Sequence, residues 1–119
     1  MGAGSLVHRG SIVTVSLPST PTHEQAGRRP CVVVSNEQSV VNARYDMIVV
    51  VPLTSTVLNG KLYPQLKKGD AELKLDSVAL VDQIRSIDKS RVEKVGLKVS
   101  SDALQSIDHA IKYLLGYEE

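Results

Sequence analysis

The sequence predicts a mainly β domain with one helix: a small, strongly curved antiparallel sheet or barrel carrying a C-terminal amphipathic helix. Three observations lead there. Short β-branched runs recur between Ser11 and Val99, separated by turn residues and not by helical segments, which argues against repeated βαβ units. Only the stretch after Val99 carries a helical period. Phe and Trp are absent and Tyr occurs only four times, so the core must be built from Val, Leu and Ile, and Val favours strands.

The elements follow in order. The opening MGAGS lacks the regions of a signal peptide and reads as a start-site or expression remnant, with residues 1–6 outside the folded domain. Ser11–Leu17 (SIVTVSL) alternates apolar and polar residues, the pattern of a half-buried strand. Pro18 stops it, and the polar stretch to Arg29 reads as a loop of about ten residues, a length that often carries function in a small domain. Pro30–Ser35 (PCVVVS) is a continuous β-branched run, hence a strand buried on both faces. Asn36–Arg44 is polar, a loop with one helical turn.

Asp46–Leu53 (DMIVVVPL) is another buried strand, with Pro52 confining it to an edge or placing the proline at the strand's end. Thr54–Gly60 is a polar loop closing on the turn pair Asn59-Gly60. Leu62–Leu66, Ala71–Leu75 and Ser77–Val81 read as three short strands, followed by Arg85–Ile87 and Glu93–Val99. Leu104, Ile107, Ile111, Leu114 and Leu115 then recur on one helical face. Ser100 or Ser101 suits the N-cap and Gly116 the C′ position, which predicts a helix over Ser101–Leu115.

The 119 residues fit a single domain, 1–119. Fourteen Lys and Arg against 13 Asp and Glu give a net charge of +1, without the broad basic footprint of a non-specific nucleic-acid binder. Any nucleic-acid contact must be local, drawn from Arg28, Arg29, Lys61, Lys67 and Lys68. The single cysteine, Cys31, can form neither an intrachain disulfide nor a cysteine zinc site, and its apolar neighbours read as a buried, inert thiol. A reducing cytoplasm is the expected compartment. No apolar run approaches the ~20 residues that span a membrane. P-loop, Rossmann and HxxxH motifs are absent, and His8, His23 and His109 are widely separated, so no metal site and no cofactor is expected.

Three polar stretches remain. HEQAGRRP, His23 to Pro30, gathers an imidazole, a carboxylate, an amide and two guanidiniums ahead of a buried strand. A guanidinium holds a phosphate through two parallel hydrogen bonds, and a residue before proline is held extended, which puts Arg29 at the strand's entrance. On its own the stretch still reads more readily as a solvated turn. In VVVPLTST, the hydroxyls of Thr54 and Ser55 lie past a buried strand where they can donate to a phosphoryl oxygen, although Ser and Thr also simply populate turns. In LVDQIRSID, Asp82 reads as half-buried, with Arg85 as a structural partner.

These pieces, in this order, together with RGSIVTV and the terminal helix, resemble the MazF/PemK family of bacterial toxin endoribonucleases from about Val7 to Leu115. The resemblance implies a partly open SH3-like β-barrel, a homodimer, and metal-independent, sequence-specific cleavage of single-stranded RNA, often mRNA. It also implies a cognate antitoxin that occupies the RNA groove. By motif, Arg29 and Thr54 fall on the family's catalytic positions, and Glu24 and Gln25 on its loop E-Q pair. Glu24 and His23 are the chemically accessible candidates for proton transfer, since an arginine keeps its proton. Gln25, Arg28, Ser55 and Lys61 are expected to contact RNA. Some PemK-branch members use an arginine two residues before the D-Q aspartate; Leu80 stands there, which leaves Asp82 a supporting role. A gyrase-poisoning toxin of the CcdB type, sharing this fold, is the main alternative, and the absence of Trp counts against it. A non-catalytic SH3-like module binding RNA or protein is the other.

Overall fold

A computed structural model describes residues 7–19 and 21–117; the expectation for residues 1–6 lies outside them. Seven strands and two helices follow one another in the chain: β1 (Ser11–Leu17), β2 (Gly27–Val33), α1 (Glu37–Val41), β3 (Met47–Thr54), β4 (Gln65–Leu66), β5 (Ser77–Ala79), β6 (Arg85–Asp88), β7 (Val92–Lys98) and α2 (Ser101–Leu114). Every strand pairing is antiparallel, in the order β4-β5-β3-β2-β1-β7, with β6 also on β3. The sheet curls into a half-barrel whose end strands, β4 and β7, are not paired with each other.

β3 organises the sheet. One edge pairs with β2 at Val50, Val51 and Pro52, while the other serves β6 over Met47–Val50 and β5 at Leu53 and Thr54. Pro52 stands at the handover between β6 and β5, close to the strand's end, where its missing N–H interrupts no ladder; its carbonyl still accepts the Leu80 N–H at 2.8 Å. Both faces of the central strands are covered, as their unbroken apolar runs require. Cys31, Val33 and Val50 face the interior of the curl with Val13, Val15, Ile48 and Ile87. Val32, Val51 and Leu53 face the other way, beneath Ala103, Ile107 and Ala110 of α2.

The helix is set by local chemistry. Ser100 Oγ accepts the Ala103 N–H at 3.1 Å, and Gly116 follows the end with φ +82°. Its contact face includes two alanines as well as the expected aliphatic stripe, and their small side chains let the helix axis approach the sheet. Leu115 falls past the last turn and is exposed.

Three expectations need correction. β2 begins at Gly27 and not Pro30, so both arginines lie inside the ladder, opposite Val15 and Ser16 of β1. Leu62–Leu66 contributes only a two-residue strand. Ala71–Leu75 is no strand: Asp70–Glu72 forms a 3-10 turn, and Ala71 and Glu72 within it and Gly69 before it all have positive φ. Tertiary anchoring overrides the apolar alternation here, because Asp70 accepts both the N–H and the hydroxyl of Ser100, each at 2.8 Å.

Candidate active site

The chain enters β2 through Gly27 at φ +79°, with nothing near the place a Cβ would occupy, so the dihedral and not crowding calls for glycine. Two residues on, Arg29 Nε donates to the Ala26 carbonyl at 3.1 Å. That bond folds the side chain against its own loop and leaves both terminal nitrogens to donate elsewhere. Thr54 closes β3 and is 9% exposed. Its Oγ1 accepts the Thr56 N–H at 3.2 Å, which leaves the hydroxyl hydrogen free to be donated.

Arg29 and Thr54 open onto the same cleft. With Ser55, Pro30 and Leu53 they line one cleft of about 250 Å³, which Leu73–Leu75 and Ser77 close on the other side. Two rigid strands therefore supply the two polar groups, a better support than free loops. Cys31 lies below, fully buried, and burial pushes its thiol up to about 12 against a partial pull from the Arg85 and Arg29 guanidiniums.

Gln83 holds the loop ahead of Arg29 in place. Its Oε1 accepts the Gln25 N–H at 2.6 Å and its Nε2 donates to the His23 carbonyl at 3.4 Å. The Gln25 side-chain carbonyl is buried without a hydrogen-bond partner. Glu24 opens onto a different cavity, of about 370 Å³, shared with Asp82, Gln83 and Arg85. The His23 side chain is exposed and lines neither.

The remaining candidates are already engaged within the chain. Arg28 Nε pairs with Glu93 of β7 at 2.7 Å, on an exposed face. Lys61 sits over the Tyr113 ring, 5.0 Å from its centroid, on the α2 side and away from the cleft lining. Asp82 is exposed and accepts from Tyr63 Oη at 2.7 Å, taking the place of the expected Arg85 pairing and raising the Tyr63 pKa. Among the described residues, no three His, Cys, Asp or Glu side chains gather closely enough to hold a metal ion. None of the described helices is long and apolar enough to cross a membrane.

The sequence reading missed the Leu73–Leu75 wall, since the positive-φ turn that aims it has no local signature beyond Gly69. It also missed Gln83, whose two hydrogen bonds reach about sixty residues back along the chain.

The family described as PemK-like, MazF-like toxin of type II toxin-antitoxin system matches residues 8–115. The chain belongs to that family. RNA cleavage is the family's known activity. A relative, the endoribonuclease MazF of Staphylococcus saprophyticus, is 27% identical over 113 residues, covering 93% of this chain and 92% of the relative. Crystalline MazF from Deinococcus radiodurans superposes with a TM-score of 0.73 at 27% identity, over 92% of this chain and 96% of that one. A mycobacterial endoribonuclease in complex with its cognate antitoxin shares the fold, with a TM-score of 0.78 at 21% identity, over 95% of this chain and 98% of its own.

Proposed function

We propose that this toxin is a metal-independent endoribonuclease that cuts single-stranded RNA in the cleft between β2 and the end of β3. The observation that carries the reading is the convergence of Arg29 and Thr54 on that cleft. Family membership favours it over the gyrase-poisoning and silent-module alternatives. The attacking group is the RNA's own 2′-hydroxyl, which displaces the 5′-oxygen from the adjacent phosphorus. The products are a cyclic 2′,3′-phosphate and a free 5′-hydroxyl.

Negative charge grows on the phosphoryl oxygens as the phosphorane forms. The free terminal nitrogens of Arg29 and the hydroxyl of Thr54 donate to those oxygens, the role of a preorganised oxyanion site. Arginine does not give up its proton, so the 2′-hydroxyl proton leaves through a bridging water to Glu24 or His23, both of which lie outside the cleft lining, and the departing 5′-oxygen takes a proton from solvent water. A pH–rate profile of His23→Ala decides between them, since superposition on the wild-type profile removes His23. Gln25 and Ser55 supply hydrogen-bonding groups for reading bases.

A homodimer in the cytoplasm, a single domain over the whole chain and neutralisation by an antitoxin laid in the RNA groove complete the reading. The antitoxin part of it is supported by the complex of the mycobacterial relative with its own cognate antitoxin. The test is cleavage of a long single-stranded RNA in EDTA with mapped ends. Arg29→Ala and Thr54→Val each lower the rate by about 10²–10³, the usual loss for one oxyanion donor. Equal cleavage by wild type and Arg29→Ala removes the site assignment.

A further inference from the structure

The strap between β4 and β5 has no part in the site as assigned above, yet it forms one wall of the cleft. Its path is imposed. Gly69, Ala71 and Glu72 adopt positive φ in quick succession, and non-glycine residues enter that region only when their surroundings hold them there. The holding contacts are Asp70 on both polar groups of Ser100, the Gly69 N–H on the Leu73 carbonyl at 2.8 Å, and the Lys68 N–H on Asp76 Oδ1 at 2.8 Å. The strap is thus closed on itself and fastened to the start of α2, and Leu73–Leu75 turns back over the cleft as a fixed wall.

Lys74 is the cation of that wall. No described carboxylate pairs with it, whereas Arg9 and Arg28 each have one. β3 lies between β2 and β5 in the sheet, so Arg29 and the strap flank Thr54 from opposite sides. A single strand of RNA crossing the cleft past Thr54 then meets Arg29 on one side and the Lys74 ammonium on the other.

We propose that Lys74 is a substrate-binding residue that holds a backbone phosphate next to the one at Arg29. This rests on the assignment of Arg29 and Thr54 to the reaction. A lysine suits the task, because it acts as a point charge on a flexible stem and needs no fixed fork geometry. The contact is made equally in the ground and transition states, so it acts on KM and leaves kcat alone.

The experiment compares wild type, Lys74→Gln, Lys74→Arg and Arg29→Ala as full chains on long single-stranded RNA over a series of salt concentrations. Lys74 is exposed, so the glutamine variant keeps its thermal midpoint, and the arginine variant keeps the charge. Lys74→Gln raises KM about three- to tenfold near 0.1 M salt, leaves kcat within about twofold, and makes the slope of log KM against log salt shallower by about 0.7, the value of one phosphate contact on a single strand. Lys74→Arg restores both KM and slope. A glutamine variant with the wild-type KM and slope overturns the proposal, and so does a loss confined to kcat. Arg29→Ala separates the two readings: if it cleaves like wild type the site assignment fails, and Lys74 is still judged by its own salt slope.

Discussion

Arg29 uses one of its five N–H groups on the Ala26 carbonyl, and this small commitment orients the rest of the guanidinium. Immediately beyond Pro30 the chain carries Cys31, which lies so deep that its thiol resists ionisation in spite of two nearby guanidiniums. The linkage has a definite sign. In the unfolded chain the thiol titrates in its ordinary range near 9, whereas in the folded protein it stays protonated up to about 12. The stability it protects is therefore complete below about pH 9 and is lost progressively as pH rises toward 12. Urea unfolding of wild type and Cys31→Ala across that window checks this: wild-type stability falls more steeply, and the native thiol stays silent toward a thiol reagent at pH 8. A rapidly titrating native thiol would contradict the burial. Cys31 as an inert core residue was legible from its apolar neighbours alone. The partner of Asp82 was not, because Arg85 is near in sequence while Tyr63 is near only after folding.

Among the elements, α2 and the strap stabilise one another through a single serine. Ser100 Oγ accepts from the Ala103 N–H to cap the helix, and the same hydroxyl donates to Asp70 Oδ2. Removing the cap by Ser100→Ala costs about 1 kcal/mol for the helix terminus alone. Asp70→Ala leaves the Ser100 N–H without its acceptor and frees the positive-φ turn. The two substitutions share one network, so their stability losses are not additive, and a double-mutant cycle gives a coupling of about 0.5–3 kcal/mol. Additive losses would show that the strap is not fastened through this contact. RNA cleavage by Asp70→Ala also weakens, because the freed wall no longer fixes Lys74. The helix was predictable because its signals are local: an aliphatic stripe, a serine before it and a glycine after it. The strap was not, since its Leu73 and Leu75 alternate with polar residues as a strand would. Its local hydrogen bonds are joined by the tie to Ser100, thirty residues later, which no pattern within the stretch announces. β2 shows the same limit in milder form, since Pro30 suggested a strand start whereas the pairing with β1 extends it back to Gly27.

At the scale of the molecule, a sheet covered on both faces leaves its functional groups to the rims of the curl, where β2, β3 and the strap end. That explains how a protein with a net charge of +1 can handle a polyanion. Some of its cations are engaged within the chain: Arg28 is paired with Glu93, Arg9 with Asp108, and Lys61 leans on the Tyr113 ring. The cations left at the cleft are Arg29 and Lys74. RNA affinity should then come from few phosphates and from hydrogen bonds to bases, and not from a general electrostatic attraction. Counterion release turns this into a number. With about two to four phosphates contacted at ~0.7 per contact, the logarithm of the binding constant should fall with log salt with a slope of about −1.5 to −3. Fluorescence anisotropy with the slow Arg29→Ala protein underestimates the slope by one contact, so the wild type should be measured on RNA whose 2′-hydroxyls are methylated, which blocks the attack while preserving the phosphates. A slope steeper than about −5 would mean that many more cations reach the RNA than the cleft holds, and that the paired arginines release their carboxylates on binding.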